Sequence, residues 1–281
     1  MKIAFLILNY MMYLDTIACV ESIKRLENDS SDLVEIIIVD NFSQNESRDV
    51  LLEKYCEDPQ IKLIFNEKNL GFANGNNVGY RYCKQNKFDI IIQINNDTII
   101  DDVFFTRKVK DILKRENFDV LGPDVLSLKD GYHQNPLPSF TLNRYNVCKK
   151  LLKNIIGLNL NRLGLIGFFK KDAKYFKRPW EEKLDVTSVN NFTLQGACYI
   201  FSKNYIDRMS GMFDGTFMFY EEHILKYYCQ KNNLKMLYTP EIQILHKEGS
   251  TRDKVSRGNR DKLEFNYSES IKSLKNFIKA M

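Results

Sequence analysis

Apolar runs of strand length alternate with stretches of helical spacing through the first hundred residues. Residues 3–8 (IAFLIL) are unbroken and apolar, residues 34–39 form a second run rich in β-branched side chains, and residues 61–65 and 90–94 repeat the pattern. Between them, Leu14, Ile17, Ala18, Ile23 and Leu26 recur at helical spacing. Residues 50–56 also read as helix, and residues 74–84 as a helix opened by a loop rich in glycine and asparagine. Strands that are apolar on both faces and alternate with helices predict an α/β fold, its mostly parallel sheet covered on both sides. Ligands of such sheets bind beyond the carboxyl ends of the strands. The polar clusters Asn9-Tyr10, Asp40-Asn41-Phe42-Ser43 and Asn95-Asn96-Asp97 fall at those ends, which predicts one composite site.

The second half is patterned differently. Residues 193–201 read as strand, 221–231 as helix, and 235–238 and 241–246 as two short extended pieces. Over the last twenty residues Tyr267, Ile271, Leu274 and Ile278 share one helical face, suited either to this domain or to a second subunit in a homodimer. From 144 to 178 there are ten Lys/Arg and a single acid, Asp172, with Leu151, Leu152, Ile155, Ile156, Leu163, Ile166, Phe168 and Phe169 interleaved. Two readings stand. One is a solvated helical insertion whose apolar face packs on the sheet. The other is an interfacial element whose basic residues meet anionic headgroups. Gly157, Gly164 and Gly167 argue against a continuous helix there. Trp180, the only tryptophan, reads as a core residue before it reads as a platform for a sugar ring.

Composition narrows the function classes. With 281 residues, 44% apolar and 27% charged, the chain suits an ordinary globular fold at the upper size of a single core. A net charge of +5 and no recognition motif give nucleic-acid binding little support. The six cysteines form no C-x-x-C pair, which argues against a zinc ribbon or a thioredoxin-like site and for reduced, cytoplasmic thiols. No apolar run reaches 18 residues, and the first run, which no small-residue cleavage site follows, reads as a buried strand.

Four constellations could carry chemistry. Asn95-Asn96-Asp97 puts a carboxylate at a strand end, where it can hold Mg²⁺ or Mn²⁺ against substrate phosphates or simply make a turn. Residues 66–80 hold three glycines and five asparagines, enough to line a ribose or sugar, or to cap a helix. No G-K-[ST] follows them, so this is not a Walker loop. Glu221 and Glu222 follow an aromatic run and open a helix; they suit the helix dipole, or a general base beside apolar rings. His246 ends an apolar strand before Gly249-Ser250-Thr251, as a structural histidine or a metal ligand.

In order, LNY at 8–10, VDNFS at 39–43, NLGFANGNNVG at 69–79, INNDT at 94–98, GAC at 196–198, FYEEHIL at 219–225 and HKEGST at 246–251 resemble glycosyltransferase family 2, the inverting enzymes of GT-A fold. The resemblance runs from about residue 3 to about residue 251 and is nearest to bacterial rhamnosyltransferase-like members that build capsule, O-antigen and related polysaccharides. It implies a nucleotide-sugar-binding half over 1–125, an acceptor-binding and catalytic half over 126–251 with the basic insertion 144–178, and an amphipathic tail over 252–281. Asn9, Tyr10, Asp40 and Asn41 would line the base and ribose pocket. Asn69, Gly71, Asn74 and Asn77 would shape the floor beneath the nucleotide sugar. Asn96 and Asp97 stand at the D-x-D-type motif, with Asp97 as metal ligand and His246 as a second one. Glu222 stands at the catalytic base.

Two departures from the family pattern matter. The metal motif has asparagines where relatives have aspartates, and the acid pair is Glu-Glu where many have Glu-Asp, which leaves Glu221 and Glu222 both in question. The resemblance further implies a dTDP-rhamnose or UDP-hexose donor, a glycan or lipid-linked oligosaccharide acceptor, Mg²⁺ or Mn²⁺, and a cytoplasmic protein, peripheral on the inner face of the membrane. The alternative is a non-catalytic glycan-binding or scaffolding relative at that surface. Such a relative would be expected to lose Asp97, Glu222 or His246, and all three are present. A nucleotidyltransferase would show a Gly-rich phosphate loop after the first strand, where Asn9-Tyr10-Met11-Met12 stands instead.

Overall fold

The four apolar runs of the first hundred residues are four parallel strands. In the computed structural model, which describes residues 1–165, 176–248 and 259–281, β1 (Lys2–Asn9) lies between β2 (Leu33–Asp40) and β4 (Ile90–Asn95), with β3 (Ile61–Phe65) outside β2. Residues Ile3 to Ile7 are fully buried, as both-face coverage requires. One face is covered by α1 (Tyr13–Lys24) and α2 (Ser47–Tyr55), whose Cys19, Val20, Ile23 and Leu51 join the core of Ile3, Phe5 and Ile7. The other is covered by α3 (Gly71–Gln85), which packs Ala73, Tyr80 and Cys83 on Ala4 and Leu6.

The helix α3 starts three residues earlier than the spacing predicts. The glycines and asparagines of 71–79 are therefore helical, not a loop before a helix. The reason is close packing: a Cβ at Gly79 would lie 2.1 Å from Leu6, so only glycine lets the helix lie down on β1. Gly71 begins the helix at φ +79°, and a Cβ there would lie 2.2 Å from the carbonyl oxygen of Phe217. Gly71→Ala is expected to cost about 1–3 kcal/mol from the left-handed φ alone, and more from the clash. Urea unfolding should show a lower midpoint with an unchanged slope.

The second half completes a mixed sheet of nine strands, ordered β3-β2-β1-β4-β10-β6-β11-β5 with β8 beside β11. Here β5 is Thr98–Ile99, β6 Val120–Ser127, β8 Leu184–Asp185, β10 Cys198–Ser202 and β11 Met236–His246. The strand β10 runs antiparallel to both β4 and β6. Two expectations are corrected and one helix is added. Residues 193–201 are not one strand: β9 (Phe192–Thr193) pairs with β7 (Leu137–Pro138) in a separate ribbon, and the chain turns at Gln195-Gly196 before β10. The two pieces at 235–238 and 241–246 are one strand, β11, with a register shift between Thr239 and Gln243, where Pro240 offers no N–H. The helix α4 (Phe105–Glu116) precedes β6, in a stretch the spacing did not single out.

The basic stretch begins with α5 (Arg144–Arg162), a continuous helix that passes through Gly157 and ends before Gly164 at φ +76°. Glycine at 157 admits the ring of Tyr267 from α8 (Asn259–Ala280); a Cβ would meet it at 2.5 Å. Asn161 donates to the Arg260 carbonyl and Arg162 pairs with Glu264, so α8 packs along α5. Residues 166–175 of the stretch, with Ile166, Gly167, Phe168 and Phe169, lie outside the described residues, as do Gly249, Ser250 and Thr251. Trp180 is half-buried against Phe176 and Phe192, at 5.6 and 4.9 Å between centroids, in keeping with a packing role. No described helix is long and apolar enough to cross a membrane. All six cysteines are free thiols, four of them buried.

Candidate active site

The carboxyl ends of β1, β2 and β4 carry the three polar clusters, and hydrogen bonds tie the first two together. Asn9, fully buried, donates to Asp40 Oδ2 at 2.6 Å and accepts from Thr16 at 2.8 Å. Asp40 also accepts from the backbone and hydroxyl of Ser43, closing the turn after β2 around Phe42 at φ +67°. Asn41 accepts from Asn66 and from Leu70 N, both at 3.0 Å, and donates to Asn69 Oδ1 and the Gly71 carbonyl. Its amide is saturated, and it fixes the 66–71 loop against β2. Tyr10 is half-buried beside this crevice. Asn96 donates to Thr16 at 3.1 Å, which joins the end of β4 to α1.

The helix α3 uses its asparagines in the same way. Asn77 donates to the Met212 carbonyl and accepts from Met212 N, both at 2.8 Å. Asn74 donates to the Asp214 carbonyl at 2.9 Å, and Phe72 N to the Phe217 carbonyl at 2.8 Å. These bonds hold the 212–217 segment that leads into α7 (Glu221–Lys231). From the other side α8 grips it: Ser273 donates to the Met218 carbonyl and Asn276 to that of Gly215. Phe219 and Tyr220 are then forced to φ +76° and +72°, two consecutive non-glycine residues in the left-handed region. Such strain persists only where the surroundings over-determine it, and it clusters at functional sites.

The strained turn delivers two carboxylates with unlike environments. Glu221 is 7% exposed and its Oε1 has no hydrogen-bond partner. Burial, and then the negative charge of Glu222, raise its pKa well above the ordinary carboxylate range. Glu222 is less buried and lies against Gly196, where a Cβ would come within 3.1 Å of its Oε1. The next residue, Ala197, accepts from Asn95 N at 2.8 Å, so the bare Gly196 backbone separates Glu222 from the strand end that carries Asn96 and Asp97. His223, between the rings of Phe140 and Tyr220, is pushed down to about 3 by burial and by the charges of Lys150 and Lys226. It therefore stays neutral.

Asp97 and His246 come together where β5 pairs with the end of β11, with Nε2 to Oδ1 at 3.3 Å. His246 Nδ1 lies 2.8 Å from Gln134 Oε1. Gln134 Nε2 donates to Glu248, which fixes the amide so that its oxygen faces the imidazole. Nδ1 then donates to Gln134, and Nε2 faces Asp97. The sequence reading missed Gln134. The only signal was a run of three consecutive polar residues, His133, Gln134 and Asn135, all of which prove buried. The other two are tied as well, His133 to Asp124 at 2.8 Å and Asn135 to the Pro123 carbonyl at 2.6 Å.

With this geometry in hand, comparison with known proteins is decisive for the family. Residues 7–185 match the profile described as glycosyl transferase family 2. The chain belongs to that family. It is similar to the low-salt glycan biosynthesis hexosyltransferase Agl10 of Haloferax volcanii, 24% identical over 234 residues that make up 81% of this chain and 64% of that protein. The chain thus spans just under two thirds of that relative's length. Among solved structures it is similar to S. aureus TarS 1–349 in complex with UDP-GlcNAc, with a TM-score of 0.56 at 13% identity, covering 91% of this chain and 62% of that one. It is also similar to GalNAc-T7 with UDP, GalNAc and Mn²⁺, with a TM-score of 0.59 at 14% identity, covering 95% and 47%. The family and these likenesses give the fold as GT-A, in agreement with the expectation from the motifs.

Many proteins of this fold hold a divalent cation, and the donors here fit one in part. Asp97 offers a carboxylate, and His246 a lone pair whose orientation Gln134 sets. No group of three His, Cys, Asp or Glu suited to a metal occurs among the described residues. A cation at Asp97 and His246 would therefore complete its shell with oxygens of the substrate or water, as Mg²⁺ commonly does.

Proposed function

We propose that the chain catalyses transfer of a hexosyl or deoxyhexosyl group from a nucleoside diphosphate sugar to a hydroxyl of a glycan acceptor, with inversion. The observation that supports this reading is that Glu222 lies against Gly196, next to Ala197, whose carbonyl is bonded to Asn95 at the strand end that leads into Asn96-Asp97. A sugar seated over Gly196 would have the Glu222 carboxylate on one side and the leaving diphosphate on the other.

The acceptor oxygen attacks the anomeric carbon as its proton passes to Glu222. The bond from that carbon to the diphosphate oxygen breaks, and the electron pair leaves with the nucleotide. Asp97 and His246 would hold a divalent cation, which when bound supplies charge stabilisation for the departing diphosphate. The left-handed turn at Phe219-Tyr220 fixes where the base points, and the neutral Glu221 beside it adds no second negative charge. Asn41 of the ribose pocket and Asn74 and Asn77 of the floor act through position, spending their amides on the 66–71 loop and the 212–217 segment. Names of relatives that carry UDP favour a uridine donor. The family also suits dTDP-rhamnose and a place in bacterial capsule or O-antigen synthesis.

Thermal unfolding with UDP, dTDP and GDP, each with and without Mn²⁺, tests the reading. A nucleotide at 100 times its Kd adds about 2.7 kcal/mol of stability, and for a chain of this size each kcal/mol raises Tm by about 2–4 °C. A shift of several degrees with one nucleotide, larger with Mn²⁺, is expected. No shift with any of the three would favour a non-catalytic glycan-binding protein.

A further inference from the structure

The basic stretch holds a cavity that the transfer chemistry leaves unused. Phe140, Asn146, Lys149, Lys150 and Lys153 line an open pocket of about 200 Å³ at the start of α5. Spacings of three and four put the lysines on one helical face. Among the described residues none of the three pairs with a carboxylate; Lys150 Nζ instead lies 4.8 Å over the Phe140 ring. From Gly131 to Lys171 the sequence has no Asp or Glu at all, so no acid of the same segment balances them. Three lysines that line one depression repel one another, and an anion seated there relieves that cost. Lys150 shows the stress, its pKa lowered by burial and then by Lys153.

Position gives the cavity a purpose. The Phe140 ring packs on His223 at 5.0 Å between centroids, and His223 adjoins Glu222 in the chain. One turn beyond Lys150, Asn154 donates to the Tyr220 hydroxyl at 3.0 Å. The lysine cavity is thus built onto the turn that presents the catalytic pair. The same helix exposes Tyr145 at 74%, Leu152 at 57%, Ile156 at 50% and Leu163 at 71%, at intervals of seven, four and seven residues along one face. Apolar side chains beside unbalanced lysines suit a molecule with a phosphate head and an apolar tail.

We propose that this cavity seats a phosphoryl group carried by the acceptor, held by Lys149, Lys150 and Lys153 and borne on a lipid that lies along the exposed face of α5. That the phosphoryl group belongs to the acceptor rests on the transferase reading; the anion site itself does not.

The test is sedimentation of the full chain with phosphatidylcholine vesicles, with and without phosphatidic acid, and in a second arm a titration with inorganic pyrophosphate. Binding to phosphatidic acid vesicles and not to the neutral ones is expected. The triple variant K149Q/K150Q/K153Q should weaken it by about 100-fold. A control that removes three lysines elsewhere, K54Q/K62Q/K87Q, should change it little. Pyrophosphate binding that the triple variant abolishes, without vesicle binding, would keep the phosphoryl seat and replace the lipid by a soluble source. Binding in neither arm, or equal loss in the control variant, overturns the proposal. The nucleotide-dependent rise in Tm, measured on the same proteins, separates the two claims. If the triple variant keeps it, fold and donor site are intact. If the wild type lacks it while lysine-dependent anion binding persists, the transferase reading fails and the anion site stands.

Discussion

Glu222→Gln is expected to lower kcat by about 10²–10⁴-fold, the usual worth of general-base assistance, while the nucleotide still raises Tm as in the wild type. Glutamine keeps the size and the contact with Gly196 but cannot take a proton. Donor binding depends on other residues, so KM for the donor should move little. A variant with full turnover would remove Glu222 from the role. The companion Glu221→Gln separates the two acids. Glu221 is buried with an unpartnered oxygen and holds its proton in a range where an exposed glutamate has lost it. A protonated carboxyl is no base, so Glu221→Gln should keep turnover within about tenfold of the wild type, well short of the general-base loss.

The same shift fixes a stability signature. The folded-state pKa of Glu221 lies above the unfolded value near 4.5, so the folded chain binds more protons between the two. The relative stability this confers is fully present below the unfolded value. It is lost as pH rises through the folded value, because ionising the buried group beside Glu222 is costly. Glu221→Gln removes that dependence. The gap in Tm between this variant and the wild type should therefore widen in the variant's favour from about pH 5 upward. A constant gap across that range would mean that Glu221 ionises freely.

The legible parts of the fold are those where burial leaves a one-dimensional trace. The strands β1, β2 and β4 read as apolar runs because both faces are covered, and their polar ends mark the crevice; β3, at the sheet edge, is only partly buried. The second half hides its strands. Gly122-Pro123 interrupts β6, the register shift around Pro240 divides β11, and β7 and β9 are two residues each. At the site, residue types were legible and their partners were not. An asparagine that meets a ribose and one that meets a backbone carbonyl look alike in sequence. Asn9, Asn41 and Asn77 make internal hydrogen bonds that only long-range contacts could reveal. The strain at Phe219-Tyr220 was equally hidden, since aromatic residues give no hint of a left-handed backbone.

Gln134 offers the second large effect, because it would act on the proposed cation site without touching the cation. Its Oε1 accepts from His246 Nδ1, and Glu248 holds its amide in that orientation. With Gln134→Leu the imidazole loses the acceptor that sets its tautomer. Nothing then holds the ring with Nε2 toward Asp97. Loss of such a partner behind a metal ligand typically costs 10–100-fold in metal affinity. In a Mn²⁺ titration followed by the nucleotide-dependent rise in Tm, the half-saturating Mn²⁺ should rise by that factor in Gln134→Leu. The effect of saturating Mn²⁺ should be retained. Asp97→Ala removes the only anionic ligand of the pair, and its response to Mn²⁺ should vanish at any concentration tested while a smaller, metal-independent nucleotide shift remains. The ordering distinguishes a cation site from a plain ion pair. If Asp97 and His246 merely paired with each other, all three proteins would need the same Mn²⁺, and breaking the pair would change stability alone.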